Sequence, residues 1–144
     1  MERVDFYILA GSGRQAAEQF ACRLCEKAYN QGNRIFIRAE DGAQTEALDE
    51  LLWTFRSGSF LPHARVGADD EDTPIVLGER VPERALDLLV NLAGTLDGPW
   101  QNFSRLAEVV DQRPGAIQAA RQRYRAYRGA GYELHYHNLD KENA

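Results

Sequence analysis

The first 55 residues alternate between two hydrophobic periods, and that alternation admits few folds. "VDFYILA" (residues 4–10) is a short apolar, aromatic-rich run that stops at Gly11, which reads as a buried strand. "RQAAEQFACRLCEKAYN" (14–30) follows, with Ala17, Phe20, Ala21, Leu24 and Ala28 at the three- and four-residue spacing of one helix face. Gly32 stands where a helix is usually closed. "RIFIRAE" (34–40) is a second strand, and "AQTEALDELLWTF" (43–55) a second helix with Leu48, Leu51 and Leu52 facing inward. Strand, helix, strand, helix predicts a parallel α/β sheet, because each crossover helix must bury one face on the sheet.

The remainder extends that pattern. "RSGSFLPHARVGADDEDT" (56–73) reads as a loop whose DDED run is a solvated acidic stretch. "PIVLG" (74–78) is a short strand. "ALDLLVNLA" (85–93) has the length of either element, and the alternation favours a strand. "GPWQNF" (98–103) reads as a turn or a single helical turn, "LAEVVD" (106–111) as a strand ended by "RPG", and "AIQAARQRYRAYR" (116–128) as the last helix, closed by Gly129 or Gly131. The 144 residues show no linker and no repeat, so one domain is expected, with a mostly parallel or mixed sheet and helices on both faces. "MERVDFYILA" carries acids and a broken apolar run, a poor export signal, and no stretch reaches membrane-span length. A cytoplasmic protein with no membrane partner is expected.

Three motifs invite chemistry. "GSGRQA" (11–16) fits G-x-G-x-x-A between a strand and a helix, and Glu40 ends the second strand. A dinucleotide fold uses such glycines for close approach to a pyrophosphate and such an acid for a ribose hydroxyl. A plain tight turn in a cofactor-free α/β fold has the same residues. No Gly-Lys-Ser/Thr follows, so it is not a P-loop. Cys22 and Cys25 form a C-x-x-C about two turns inside a helix, where the dipole no longer lowers a thiol pKa. His135 and His137 are too closely spaced for a classical finger, so ordinary helix-face cysteines are expected. His63 is a lone loop histidine read as structural, and no catalytic constellation, cofactor site or metal site is assigned.

Charge is the third signal. From Arg113 to Arg128 there are five arginines and no acid, in a chain of formal net charge -5. At about 100° per residue, Arg121, Arg125 and Arg128 share one stripe of the last helix, beside an apolar stripe of Ile117, Ala120, Tyr124 and Tyr127. No acid stands at i±4 to neutralise the arginines, which predicts an unpaired basic face bordered by aromatic rings. Arg123 lies about 200° around the helix from Arg121 and is expected to matter little to that face. Such a surface suits a single nucleic-acid strand, or an acidic peptide ending in an apolar side chain and a carboxylate.

"FYIL" at the start, "LDELLWTFRSGSFLPH" and "RQRYRAYRGAGYEL" resemble, in order and over nearly the whole length, the chi-subunit family of bacterial DNA polymerase III. The resemblance implies a non-catalytic α/β subunit of the clamp loader, Rossmann-like but without a nucleotide. It implies binding to the acidic C-terminal tail of single-stranded DNA-binding protein (SSB) through Trp53, Arg121, Tyr124, Arg125 and Arg128. It also implies a psi-subunit or helicase-type partner at Phe60 and Leu61, with DNA met only indirectly. Arg125 stands where lysine is common in the family, and the G-x-G-x-x-A turn lies outside the resemblance. The dinucleotide enzyme and the direct single-strand binder remain the alternatives.

Overall fold

The computed structural model describes residues 1–54, 61–67 and 72–139. The elements are β1 (Arg3–Ile8), α1 (Arg14–Asn30), β2 (Ile35–Arg38), α2 (Gly42–Thr54), β3 (His63–Arg65), β4 (Ile75–Gly78), β5 (Leu88–Asn91), a 3-10 turn at Trp100–Asn102, β6 (Arg105–Val110), α3 (Pro114–Gly129) and β7 (Leu134–Asn138). They form one seven-stranded sheet in the order β3-β4-β2-β5-β6-β1-β7, and every pairing among the described residues is parallel. The expected strands and helices are present, including β5 in the ambiguous "ALDLLVNLA" segment and the single helical turn in "GPWQNF".

The order follows from handedness. From β1 the chain crosses through α1 to β2 and through α2 to β3, always toward one edge. From β6 it crosses through α3 to β7, toward the other edge. Right-handed crossovers in opposite directions put their helices on opposite faces of the sheet. Ile35, Ile37, Ile75, Leu77 and Val90 accordingly pack with α1 and α2, while Phe36, Val76, Leu89, Leu106 and Phe6 pack on the α3 side. Successive strand residues alternate between the two cores, as the pleat requires.

Two strands escape the sequence reading. β3 lies within the segment expected to be loop, and β7 was not foreseen. Both are edge strands, paired on one side only among the described residues, and their residues are partly buried or exposed where the central strands are buried. An edge strand needs no continuous apolar run, so "HAR" and "LHYHN" lack the signature of the central strands. Most of the DDED run and all of residues 55–60 lie outside the described residues.

The helices end where their residues dictate. Pro114 opens α3, where its missing N–H has no partner to lose, and Arg113 before it is extended (φ -64°, ψ 134°). At the other end Gly131 takes φ 88°, with Gly131 N–H donating to Arg128 and Tyr132 N–H to Tyr127. That is a Schellman closure, and of the two candidate glycines it selects Gly131. The inward face of α1 is rotated from the expected one: Cys22 and Cys25 are fully buried, while Phe20 and Leu24 are partly buried at the margin.

Candidate functional site

The last helix presents its residues in three directions. Ala120 and Tyr127 are buried against the sheet, and Tyr124 is half-buried beside them, its ring 5.3 Å from Phe6 of β1 in an edge-on arrangement. Tyr127 lies 5.9 Å from Phe6 and 5.2 Å from Trp100. This aromatic cluster fixes the roll of α3 on the sheet. Arg121, Arg125 and Arg128 consequently point to solvent, and they make no ion pair among the described residues.

The other two arginines of the basic window lie off that stripe, and both are paired. Arg113 pairs with Asp111 at 2.9 Å. Arg123 turns toward the sheet and donates from Nε to Glu108 Oε2 at 2.9 Å and from Nη2 to Oε1 at 3.1 Å. Glu108 is fully buried and also accepts from Tyr127 Oη (2.7 Å) and Asn91 Nδ2 (2.8 Å). Burial alone would lower the Arg123 pKa, but the charge and hydrogen bonds of Glu108 outweigh it and raise it. Burial, then the Glu108 charge, pushes the Tyr127 phenol well above its usual range. Glu108 lies on β6, 15 residues from Arg123, and Asp111 stands two residues before Arg113, so neither acid occupies the i±4 position of a helical pair.

Beside α3 runs an open groove of about 530 Å³. Its floor is Phe6, Ile8 and Val110, from β1 and β6. One wall is α3, with Ile117, Tyr124, Arg121 and Arg125, and the other is β7, with Tyr136 and Asn138. Three residues expected to act together, Arg121, Tyr124 and Arg125, do share this groove. Arg128 continues their stripe on the exposed rim without lining it. Sequence reading missed Tyr136, Phe6 and Gln112, which also line it, because they arrive from three other segments. The alternation of "LHYHN", with Tyr136 two residues from the packed Leu134, was the one available signal for β7.

Trp53 does not join them. It stands on α2, across the sheet from α3 and toward the opposite edge, with its ring 4.4 Å from His63 of β3. The expectation that Trp53 and Tyr124 line one slot is therefore corrected: Trp53 is half exposed, beside His63. Phe60 lies outside the described residues, and Leu61 is 2% exposed in the core, so its side chain offers no surface. His63 is structural as read: its side chain is buried, with Nδ1 2.7 Å from the Leu61 carbonyl and Nε2 2.9 Å from the Asp49 carbonyl.

The remaining motifs resolve into local roles. Gly13 caps α1 at φ 98°, and Arg14 of the same turn pairs with Asp41 at 2.6 Å and Glu40 at 3.3 Å. The acid that the dinucleotide reading gives to a ribose thus meets an arginine of the glycine turn. Between β1 and β6 the chain leaves the sheet in opposite directions, where doubly wound sheets open a crevice. Here Gln112 ties the two loops, donating from its side chain to the Leu9 carbonyl (2.7 Å) and from its backbone to Gly11 (3.0 Å). Burial pushes the Cys22 thiol up to about 12, helped by Glu18, and holds Cys25 well above its ordinary value. His137 meets Asp5 at 2.9 Å and His135 meets Glu133 at 2.8 Å, and no group of described residues has the makings of a metal site. No helix among the described residues is long and apolar enough to cross a membrane.

Comparison with known proteins agrees with this geometry. A solved structure of T4 UvsW shares the fold, with a TM-score of 0.68 at 8% identity, over 94% of this chain and 41% of that one. The DNA polymerase III subunit chi of Pseudomonas aeruginosa is 42% identical over 142 residues, covering 98% of this chain and 99% of the relative. The subunit chi of Escherichia coli is 30% identical (93% and 96% covered), and that of Haemophilus influenzae 32% (94% and 96%). Residues 1–135 match the family described as DNA polymerase III chi subunit, HolC. With its parallel sheet and its basic–aromatic last helix, the chain belongs to the chi-subunit family of DNA polymerase III, accessory subunits of the replicative polymerase.

Proposed function

We propose that this chain is a non-catalytic, cytoplasmic subunit of the clamp-loader assembly whose α3 groove holds the acidic C-terminal tail of SSB, linking protein-coated DNA to the polymerase. The observation that carries this is the meeting, in one groove, of two cations without acidic partners among the described residues and an apolar, aromatic floor. A chain end that is acidic, aromatic and terminated by a carboxylate needs both. Arg121 and Arg125 meet its carboxylates, Tyr124 and Phe6 meet its ring, and Arg128 on the rim attracts the acids upstream. Outside residues 113–128 the chain carries a net charge of -10, which disfavours direct contact with DNA phosphates. The second partner, psi or a helicase-type protein, takes the opposite edge, where Trp53 is 48% exposed next to the segment that carries Phe60.

Calorimetric titration with an acidic peptide ending in phenylalanine, with NAD and with an oligonucleotide tests this. The peptide is expected to bind, and Arg125→Ala to weaken it roughly ten- to a hundredfold, the scale of one charge-assisted hydrogen bond. Arg23→Ala makes the same charge change on exposed α1 and is expected to leave the affinity intact. Equal binding by parent and Arg125→Ala would refute the site, and strong displacement of peptide by oligonucleotide would favour the direct DNA binder. Phe60→Ala is expected to weaken psi and spare the peptide; equal loss of both would show one surface rather than two.

A further inference from the structure

The groove has a wall that no reading of the helix alone provides. Tyr136 is 59% exposed, the most exposed of the large hydrophobic residues described. It is the register partner of Phe6, the residue at the floor of the groove. β7 alternates about that register: Leu134 packs in the α3-side core, while His137 turns to the other face, stacked 4.6 Å from Tyr7. Tyr136 therefore stands on the α3 side, one strand spacing beyond Phe6, with Tyr124 on the far side of the same floor. Among the described residues its side chain makes no hydrogen bond or ring contact. An aromatic side chain held over an apolar floor and facing a second tyrosine leaves a slot whose complement is a third ring.

We propose that Tyr136 is a specificity-determining wall of the groove, which makes it select a peptide whose C-terminal side chain is aromatic over one whose end is small. This rests on the reading of the groove as a site for an acidic chain end. The charges of Arg121 and Arg125 accept any carboxylate-rich end, so they confer affinity without reading the last side chain. Tyr124 and Phe6 already touch each other, so the unpaired Tyr136 is the ring left to respond to an occupant.

The test is a double-mutant cycle on the full chain, with acidic peptides ending in phenylalanine or alanine titrated into parent, Tyr136→Thr and Tyr136→Phe. Threonine is β-branched and suits an edge strand, and thermal midpoints check that the fold is kept. Tyr136→Thr is expected to weaken the phenylalanine peptide roughly three- to tenfold, the scale of one aromatic pair, and to leave the alanine peptide unchanged. Tyr136→Phe, which keeps the ring, is expected to bind both like the parent. The inference is overturned if Tyr136→Thr binds the phenylalanine peptide like the parent, or loses both peptides alike. A parent that binds neither peptide overturns the tail-site reading and this inference together. Binding that depends on Arg125 but ignores Tyr136 overturns this inference alone.

Discussion

Removing the Arg123 side chain is expected to unfold this protein more readily than removing any other arginine of the last helix. Glu108 has no solvent exposure, and its two carboxylate oxygens accept four hydrogen bonds, two of them from Arg123. Arg123→Ala removes the only cation hydrogen-bonded to Glu108 among the described residues and leaves the charge with two neutral donors, Tyr127 and Asn91. Breaking one side of a buried pair costs about 3–5 kcal/mol. The Arg123 side chain is 14% exposed, so water can enter where it leaves, and the lower end, about 3 kcal/mol, applies. For a chain of this size that is roughly 6–12 °C in melting temperature. Arg125→Ala, at an exposed side chain with no ion pair among the described residues, should change stability by no more than about 0.5 kcal/mol. Glu108→Gln in the Arg123→Ala background should recover part of the loss, because an amide needs no counter-ion and still accepts from Tyr127. Urea and thermal unfolding of the four proteins would measure this. The reasoning is refuted if Arg123→Ala and Arg125→Ala are equally stable, or if Glu108→Gln deepens the loss.

Other outcomes follow from the same contacts. Burial alone would raise the Asp5 pKa, but hydrogen bonds from Arg3 and His137 and the charges of Arg3 and Arg105 reverse this and lower it. A carboxylate depressed in the folded state adds stability above its unfolded pKa of about 3.9, lost as pH falls through the folded value. The stability gap between parent and Asp5→Asn should therefore shrink as pH falls below about 4, as urea unfolding at each pH would show. Cys22 and Cys25 should resist a thiol reagent at pH 8 in the folded protein and react on unfolding, because burial holds both thiols far above that pH; rapid labelling of the native protein would contradict the buried assignment. Affinity for the acidic peptide should fall with added salt, since Arg121 and Arg125 are exposed and screened; titration at two ionic strengths checks this.

The sequence by itself determined the central architecture. Runs such as "FYIL" and "RIFI", and the periodic faces of α1 and α2, encode burial locally, because a central strand or crossover helix must carry its own apolar surface. It likewise determined the stripe of Arg121, Arg125 and Arg128 and the seam position of Tyr124, since helical rotation is a local property. Tertiary structure decided the rest. Whether an arginine on α3 is free or paired depends on β6, which supplies Glu108 to Arg123. The groove exists because β7 adds to the edge beside β1, and an edge strand such as "LHYHN" carries only a faint apolar alternation. Trp53 and Tyr124 look alike in sequence, as aromatics on amphipathic helices. The opposite directions of the two crossovers send them to opposite faces, and that is a property of the whole sheet, which no window of residues contains.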